Sequence, residues 1–328
     1  MTLLDLRIAN TLIVEERKVT NEMRTRAAAA IVTVFLVAGC STTSAQRTFA
    51  TPDDAVNTAV TVARADNNRE LEAIFGPGSG DIISSGDPVI DKERRNRFLQ
   101  AYDEKHALIP QDDRVTLVVG NQDWPFPIPL VRKGKAWLFD TPAGRDEILN
   151  RRIGEDELYT IQACLAIVDA QREYAERSHD RSGVLAYARK FISDPGAEDG
   201  LYWPAKPDEP QSPLGSLAAE AQNQGYKGRM RTGQPQPFHG YYYIMLTAQG
   251  PNASGGAYDY VVNGRMIGGF AVVAYPAEYG NSGVMTFMVS NDGNVYQKDL
   301  GPDTARLATA ITAYDPDRTW TRVQGANL

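Results

Sequence analysis

The stretch Val284-Met285-Thr286-Phe287-Met288-Val289-Ser290, then Asn291-Asp292-Gly293, then Val295-Tyr296-Gln297-Lys298 decides the fold of the second half of the chain. Both flanks are apolar and rich in β-branched and aromatic residues, the pattern of strands. Asn-Asp-Gly between them supplies a turn that tolerates positive φ, so the two runs are predicted to form an antiparallel hairpin. Working outward, Tyr241 to Ala248 and Gly269 to Pro276 are two further β-rich runs. From Glu157, Leu158, Ile161, Leu165 and Val168 keep helical spacing, and Cys164 and Ile167 widen the stripe. That helix is expected to break near His179 to Gly183. A second would gather Val184, Tyr187, Ala188 and Phe191. A third would open at Ser212-Pro213, with Leu214, Leu217, Ala218 and Ala221 on one face and Gly225 past its end. Residues 157–328 thus read as one long helix and its companions packed on an antiparallel sheet.

The first half, 51–143, reads as a separate α+β domain. Thr51 is an N-cap, Pro52 suits the first helical position, and Asp53 and Asp54 favour the positive end of the helix dipole. Val56, Ala59, Val60 and Ala63 then share a face. Asn68 to Phe75 follows as a short helix stopped by Gly76-Pro77-Gly78, and Ile90 to Lys105 as a third helix with Phe98 and Tyr102 on one side. Strands are expected at Val115 to Val119, Pro127 to Arg132 and Ala136 to Phe139, the last two joined by a Lys133-Gly134 turn. Residues 144–156 read as a helix connecting the two halves. The fold class is α+β with two domains.

Residues 1–39 read as an export address. Ala27 to Gly39 is an apolar run too short to span a bilayer, which needs ~20 residues, and Arg24 and Arg26 supply its positive flank. Met23 is an alternative start, which would make residues 1–22 a start-site artefact.

Composition narrows the function classes. Hydrophobic residues make up 42% and charged residues 23%, a globular balance. Net charge is −7, from 34 basic and 41 acidic residues, so no basic face for nucleic acid is expected. Two cysteines exclude a disulfide-stapled fold and a four-cysteine zinc site, and three histidines leave little for a metal centre. No phosphate loop and no G-x-S-x-G nucleophile elbow is present. Neither a cofactor nor a metal is expected, and no catalytic set assembles.

Individual candidates each carry two readings. His239 is a general base or ligand in a cleft, or a packed histidine at a strand start. His179 falls in a charged break and is expected to be solvated. Cys164, mid-stripe, reads as a buried structural thiol. Asp180, Asp194, Glu198 and Asp199 surround glycine-rich loops and could form a calcium loop, or none. Tyr241 and Tyr243 share one face of their strand and Tyr242 takes the other. With Trp203, His239 and Tyr279, Tyr241 and Tyr242 make a candidate aromatic interaction surface, against simple sheet packing. Trp124-Pro125-Phe126-Pro127 is an aromatic loop suited to a cleft.

Several phrases resemble known families. Leu36-Val37-Ala38-Gly39-Cys40 resembles the bacterial lipobox, which implies cleavage before Cys40 and lipidation of its thiol. Residues 40–50 would then be the lipidated cysteine and its tether, and Ser41 resembles the outer-membrane-directed pattern. Gly269 to Gly280, Gly283 to Phe287, Val295 to Gly301, Phe238-His239-Gly240-Tyr241-Tyr242, Asp199 to Pro204 and Arg151-Arg152-Ile153-Gly154 together resemble the uncharacterised bacterial family named domain of unknown function 2950, over roughly Phe49 to Val323. That resemblance implies an exported protein and no known activity. The helix-then-sheet order of 157–328, with Gln171 and Tyr174 ending the helix, also resembles the globular heads of type IV pilins and pseudopilins. The charged Arg145 to Glu157 departs from the pilins' apolar stem. The first half, with its Lys133-Gly134-Lys135-Ala136-Trp137 hairpin, resembles ketosteroid-isomerase-like or cystatin-like cones.

These readings converge on a lipid-anchored protein on the periplasmic face of the envelope, held at the outer membrane through Cys40. It is expected to be a non-catalytic interaction or scaffolding module with an envelope protein partner. The alternative is a small-ligand binder or hydrolase with a cleft in the N-terminal domain or at the domain junction.

Overall fold

A computed structural model describes residues 45–179, 182–206, 208–226 and 236–325. Residues 1–39, expected to be an export signal, and Cys40 lie outside the described residues. The chain is α+β.

Four helices come first: α1 (Pro52–Arg64), α2 (Asn68–Phe75), α3 (Gly80–Ile83) and α4 (Pro88–Glu104). Thr51 caps α1 as the sequence predicts, its hydroxyl accepting from the amide of Asp54 at 3.1 Å. The cap of α4 is Asp87, whose carboxylate accepts from Val89 and Ile90. An antiparallel sheet follows, built of β1 (His106–Gln111), β2 (Arg114–Val119), β3 (Trp124–Pro125), β4 (Leu130–Lys133) and β5 (Ala136–Phe139). Its order is β1-β2-β4-β5, and β3 adds to β2. Helices and sheet close on a core that includes Val56, Ile74, Leu117, Leu130 and Phe139.

Next comes α5, which runs without interruption from Thr141 to Tyr174, 34 residues or ~51 Å at 1.5 Å per residue. The expected connecting helix and the helix expected from Glu157 are therefore one rod. Ile148, near its start, packs on the first core, and the stretch Ile161 to Tyr174 packs on the second. No described helix is long and apolar enough to cross a membrane.

Residues 182–206 form no helix. The stretch Val184 to Phe191 is extended, with Tyr187 bridged to Met266, because Ala188 hands its backbone N–H and C=O to the side chain of Gln171. A buried amide on α5 thus outcompetes helical periodicity. The remaining elements are α6 (Gly215–Gln224), β6 (Tyr241–Leu246), β7 (Ala248–Gln249), β8 (Tyr258–Asp259), β9 (Val261–Val262), β10 (Arg265–Met266), β11 (Ala271–Pro276), β12 (Met285–Ser290), β13 (Val295–Asp299), α7 (Thr304–Thr309) and β14 (Thr321–Arg322). The main sheet has the order β14-β13-β12-β11-β6, antiparallel throughout. The β12–β13 hairpin closes at Val289 opposite Val295, with Gly293 at φ +75°. Cys164, Val168, Val272, Phe287 and Val289 fill the space between α5 and this sheet.

Candidate functional site

The four N-terminal helices do not close fully on the first sheet. Between them lies a cavity of about 350 Å³, at the small end of the ~300–1,000 Å³ usual for small-ligand sites. One wall is α1, through Val56, Ala59, Val60 and Ala63; α2 adds Leu71 and Phe75, and α3 adds Ile82 and Ile83. The opposite wall is Leu117, Phe126, Ile128 and Phe139 from the sheet and its loop. Gly144 lets α5 approach that loop: a Cβ there would sit 2.7 Å from the amide nitrogen of Ile128 and closer still to the carbonyl of Pro127. Trp124, 41% exposed, stands over Arg151, whose guanidinium carbon is 4.9 Å from its ring centroid.

The lining changes character where α4 and α5 face each other. Arg94 and Arg95 from α4 and Arg151 and Arg152 from α5 are there, with two carboxylates, Asp91 and Glu155. Asp91 accepts from the amide of Ser85 and the hydroxyl of Ser84. Glu155 accepts from Arg94 Nε at 3.0 Å and Arg97 Nη2 at 2.9 Å, and these cations hold its carboxyl below the usual range although burial opposes them. Arg95 is paired with Asp66 and donates to Asn68. Arg94 Nη2 donates to Asp156 at 2.5 Å, whereas its Nη1 is buried without an acceptor.

Behind this polar end a buried network joins the first half of the chain to the second. Arg152, 7% exposed, donates through Nη1 to the carbonyl of Asp81 and to Asn281 Oδ1, and through Nη2 to the carbonyl of Ile82. Asn281 in turn donates to the carbonyl of Ser84 and to Glu278. Asp87 caps α4 with one oxygen; its other oxygen accepts from Tyr226 Oη at 2.6 Å and from the amide of Gly240 at 3.3 Å. Asp156 sits beside the same Gly240, where a Cβ would meet its Oδ2 at 3.0 Å. Only glycine fits there.

Burial sets the protonation of this network. It raises the carboxyl of Asp156 to about 7 against the opposing pull of Arg94, and it raises Asp87 as well. It pushes the imidazole of His239 down to about 4, with the charge of Arg94 adding to the effect. The cavity can therefore desolvate an apolar molecule and present cations to it, while Asp156 is poised to gain or lose a proton near neutrality. Asp156 itself is fully buried.

A family described as a protein of unknown function (DUF2950) matches residues 46–323. The chain belongs to this family. No curated protein and no solved structure matches it.

In this DUF2950 chain the residues singled out in the sequence fall in different places. Trp203, His239 and Tyr241 are buried, which corrects their assignment to an exposed interaction surface: each ring is spent on packing inside the fold. Tyr241 donates to the carbonyl of Met285 and packs on Phe287. His239, in the left-handed region at φ +48°, stacks 3.4 Å from Tyr159 with Nε2 2.9 Å from Gln224 Oε1. Trp203 meets the ring of His179, which stacks on Tyr174 and is enclosed instead of solvated. Tyr242 and Tyr279 are half-buried; Tyr242 pairs with Tyr275 and Tyr279 with Asp299. Lys190 bridges Asp194 and Asp199 at 2.6 and 2.5 Å, its ammonium group standing where the sequence allows a calcium ion, while Asp180 lies outside the described residues. Cys164 is buried, its thiol pushed up to about 12 by burial alone.

Sequence reading missed Arg94, Arg152, Asp87 and Asp156. The signal available was the pair of doublets Arg94-Arg95 and Arg151-Arg152, each inside a helix that also carries apolar residues. The loop Trp124-Pro125-Phe126-Pro127 was legible, and Trp124, Phe126 and Pro127 do line the cavity.

Proposed function

We propose that this DUF2950 protein is an exported envelope protein, anchored through a lipid on Cys40, that holds a small apolar molecule in its N-terminal cavity. The single observation carrying the ligand reading is the cavity itself: about 350 Å³, walled by aliphatic and aromatic side chains, with charged groups converging at one end. The export reading rests on the apolar run 27–39, its arginine flank and the small residues before Cys40. Two measurements test the two parts. Titration with the neutral fluorophore N-phenyl-1-naphthylamine should show one saturable site that Ala59→Trp, which fills the cavity, abolishes. Equal binding by the filled variant would refute the site. Radiolabelled palmitate should enter the parent and not Cys40→Ser; equal incorporation would remove the anchor.

A second reading, an interaction or scaffolding module for an envelope protein, is favoured by a different observation. Val184, Leu185, Val262 and Ile267 are exposed apolar side chains, and the Tyr187–Met266 bridge brings their segments side by side. Cell-surface crosslinking that is unchanged by a Leu185→Glu, Ile267→Glu double variant would count against it.

A further inference from the structure

The polar end of the cavity indicates what kind of molecule belongs there, given the ligand-binding reading above, on which this inference rests. Four arginines and two carboxylates line the cavity, and Asp66, Glu147 and Asp156 pair with Arg95, Arg151 and Arg94 from outside that lining. The charged groups are one-sided: the α1, α2 and α3 walls contribute apolar side chains alone. The arginines are not equally committed. Arg152 spends both terminal nitrogens on protein acceptors, and Arg95 is held by Asp66 and Asn68. Arg94 keeps a donor in reserve, since among the described residues Nη1 is the one buried guanidinium nitrogen without an acceptor. Arg151 stands at the mouth, 41% exposed, bound to Glu147 and stacked under Trp124.

A buried guanidinium donor lacking a partner beside apolar walls is satisfied by one kind of guest. We infer that the cavity takes a single-chain amphiphile, its hydrocarbon tail between α1 and the sheet and an oxyanion head at Arg94 and Arg151. At ~30 Å³ per water-sized group, the volume suits a chain of about ten carbons. The shared chemistry is a tail with a carboxylate or phosphate head, which a fatty acid or a phospholipid fragment supplies. A neutral lipid leaves Arg94 Nη1 without an acceptor, and a cationic one meets the repulsion of the guanidinium groups.

Isothermal titration of the full chain, carrying Cys40→Ser so that no attached acyl group competes, separates the possibilities. The probes are decanoate, decyl phosphate, 1-decanol and decyltrimethylammonium, all below their micelle concentrations. Both anions should bind at least ten-fold more tightly than decanol, and the cation should not bind. The tighter of the two anions identifies a free fatty acid or a phospholipid fragment as the source. Arg94→Gln should erase the advantage of the anions and leave decanol unchanged. Because Arg94 also holds Asp156, Arg151→Gln at the exposed mouth provides a second variant, with a smaller loss confined to the anions. Decanol binding as tightly as decanoate would overturn this inference and leave the ligand-binding reading intact. Failure of all four probes to bind would remove both. Equal losses for decanol and decanoate in both variants would likewise overturn the assignment of the head group.

Discussion

Replacing Arg152 tests whether one buried guanidinium holds the two halves of the chain together. It donates to two backbone carbonyls, Asp81 at 2.5 Å and Ile82 at 2.7 Å, and to the side-chain oxygen of Asn281 on the loop after β11. Arg152→Met keeps most of the aliphatic stem and takes the donor from three acceptors, Asn281 Oδ1 buried and the carbonyls of Asp81 and Ile82 part-buried. Each such orphan costs about 1–3 kcal/mol. Carbonyls retain a second lone pair, and removing the guanidinium also removes the cost of burying its charge, which here lowers its pKa. The lower end applies, giving roughly 3–5 kcal/mol in total, a large share of the ~5–15 kcal/mol that holds a native fold. In urea this should bring the midpoint down by about 1 M or more. The neighbouring Arg151→Met is the internal control. Its side chain is 41% exposed and its ion pair with Glu147 is a surface one, so its effect should stay within about 1 kcal/mol. If the two variants shifted the midpoint equally, Arg152 would be one surface charge among many and the account of the junction would fail.

Four further outcomes follow from the same structure. Gly144→Ala places a methyl group against the backbone of Pro127 and Ile128; overpacking of this kind costs about 1–3 kcal/mol, and both thermal stability and ligand binding should fall together, because both of those residues line the cavity. His239 and Asp156 act on stability with opposite signs. The native state withholds a proton from His239 between about pH 6.5 and 4, so that contribution is lost as pH falls, whereas it retains one on Asp156 up to about 7, so that contribution is lost as pH rises. His239→Asn, a residue tolerant of the left-handed backbone, should therefore remove a contribution that grows with pH, so that over pH 4–6.5 stability rises less, or falls more, with pH than in the parent; superimposable profiles would show that His239 does not titrate as described. In a Cys40→Ser background Cys164 should resist thiol reagents until the chain unfolds, and rapid labelling under native conditions would contradict its burial. Finally, an anion beside Arg94 weakens that residue's hold on Asp156, so decanoate binding at pH 7 should take up as much as about half a proton, read from binding heats in buffers of different ionisation enthalpy; proton release would reverse the sign of the argument.

What could be read in advance depended on how local the determinants were. The N-cap at Thr51, the stop at Gly76, and the hairpin at Asn291-Asp292-Gly293 are set by residues a few positions apart, and each appears where the sequence places it. The stretch Val184 to Phe191 has helical spacing and yet is extended, because its partner is Gln171, remote in sequence and buried on α5. β1 is hidden for a related reason: its residues, His106 to Gln111, are mostly exposed, and only pairing with β2 makes them a strand. The aromatic residues show the same limit. Strand alternation tells that Tyr241 and Tyr242 face opposite ways, but not that a loop returning from β11 would cover Tyr241 and that Gly283 would pack directly against its ring. The cavity was half legible, through its aromatic loop. Its arginines were not, since a doublet such as Arg151-Arg152 sends one side chain to the mouth and the next into the junction.

That division of labour between adjacent residues has a physical consequence. Successive helical positions are ~100° apart, so α5 shows Arg151 to Trp124 and the cavity mouth and Arg152 to α3 and Asn281. Glu155 and Asp156 repeat the pattern one turn later, and Arg94 from α4 bonds to both. Cavity and junction are thus two faces of the same pair of helices, with the guanidinium groups of Arg94 and Arg152 between them. A charge placed in the cavity acts on Arg94, and through Arg94 on Asp156, which faces Arg152 on its own helix and the tyrosines 226, 241 and 243 of the second half. In so enclosed a setting electrostatic effects are weakly screened, so the protonation of Asp156 cannot be independent of what the cavity holds. Asp87 extends the link, because the carboxylate that caps α4 also receives the hydroxyl of Tyr226 and the amide of Gly240. A guest that shifts α4 must therefore strain the contacts of Gly240, from which the edge strand β6 begins.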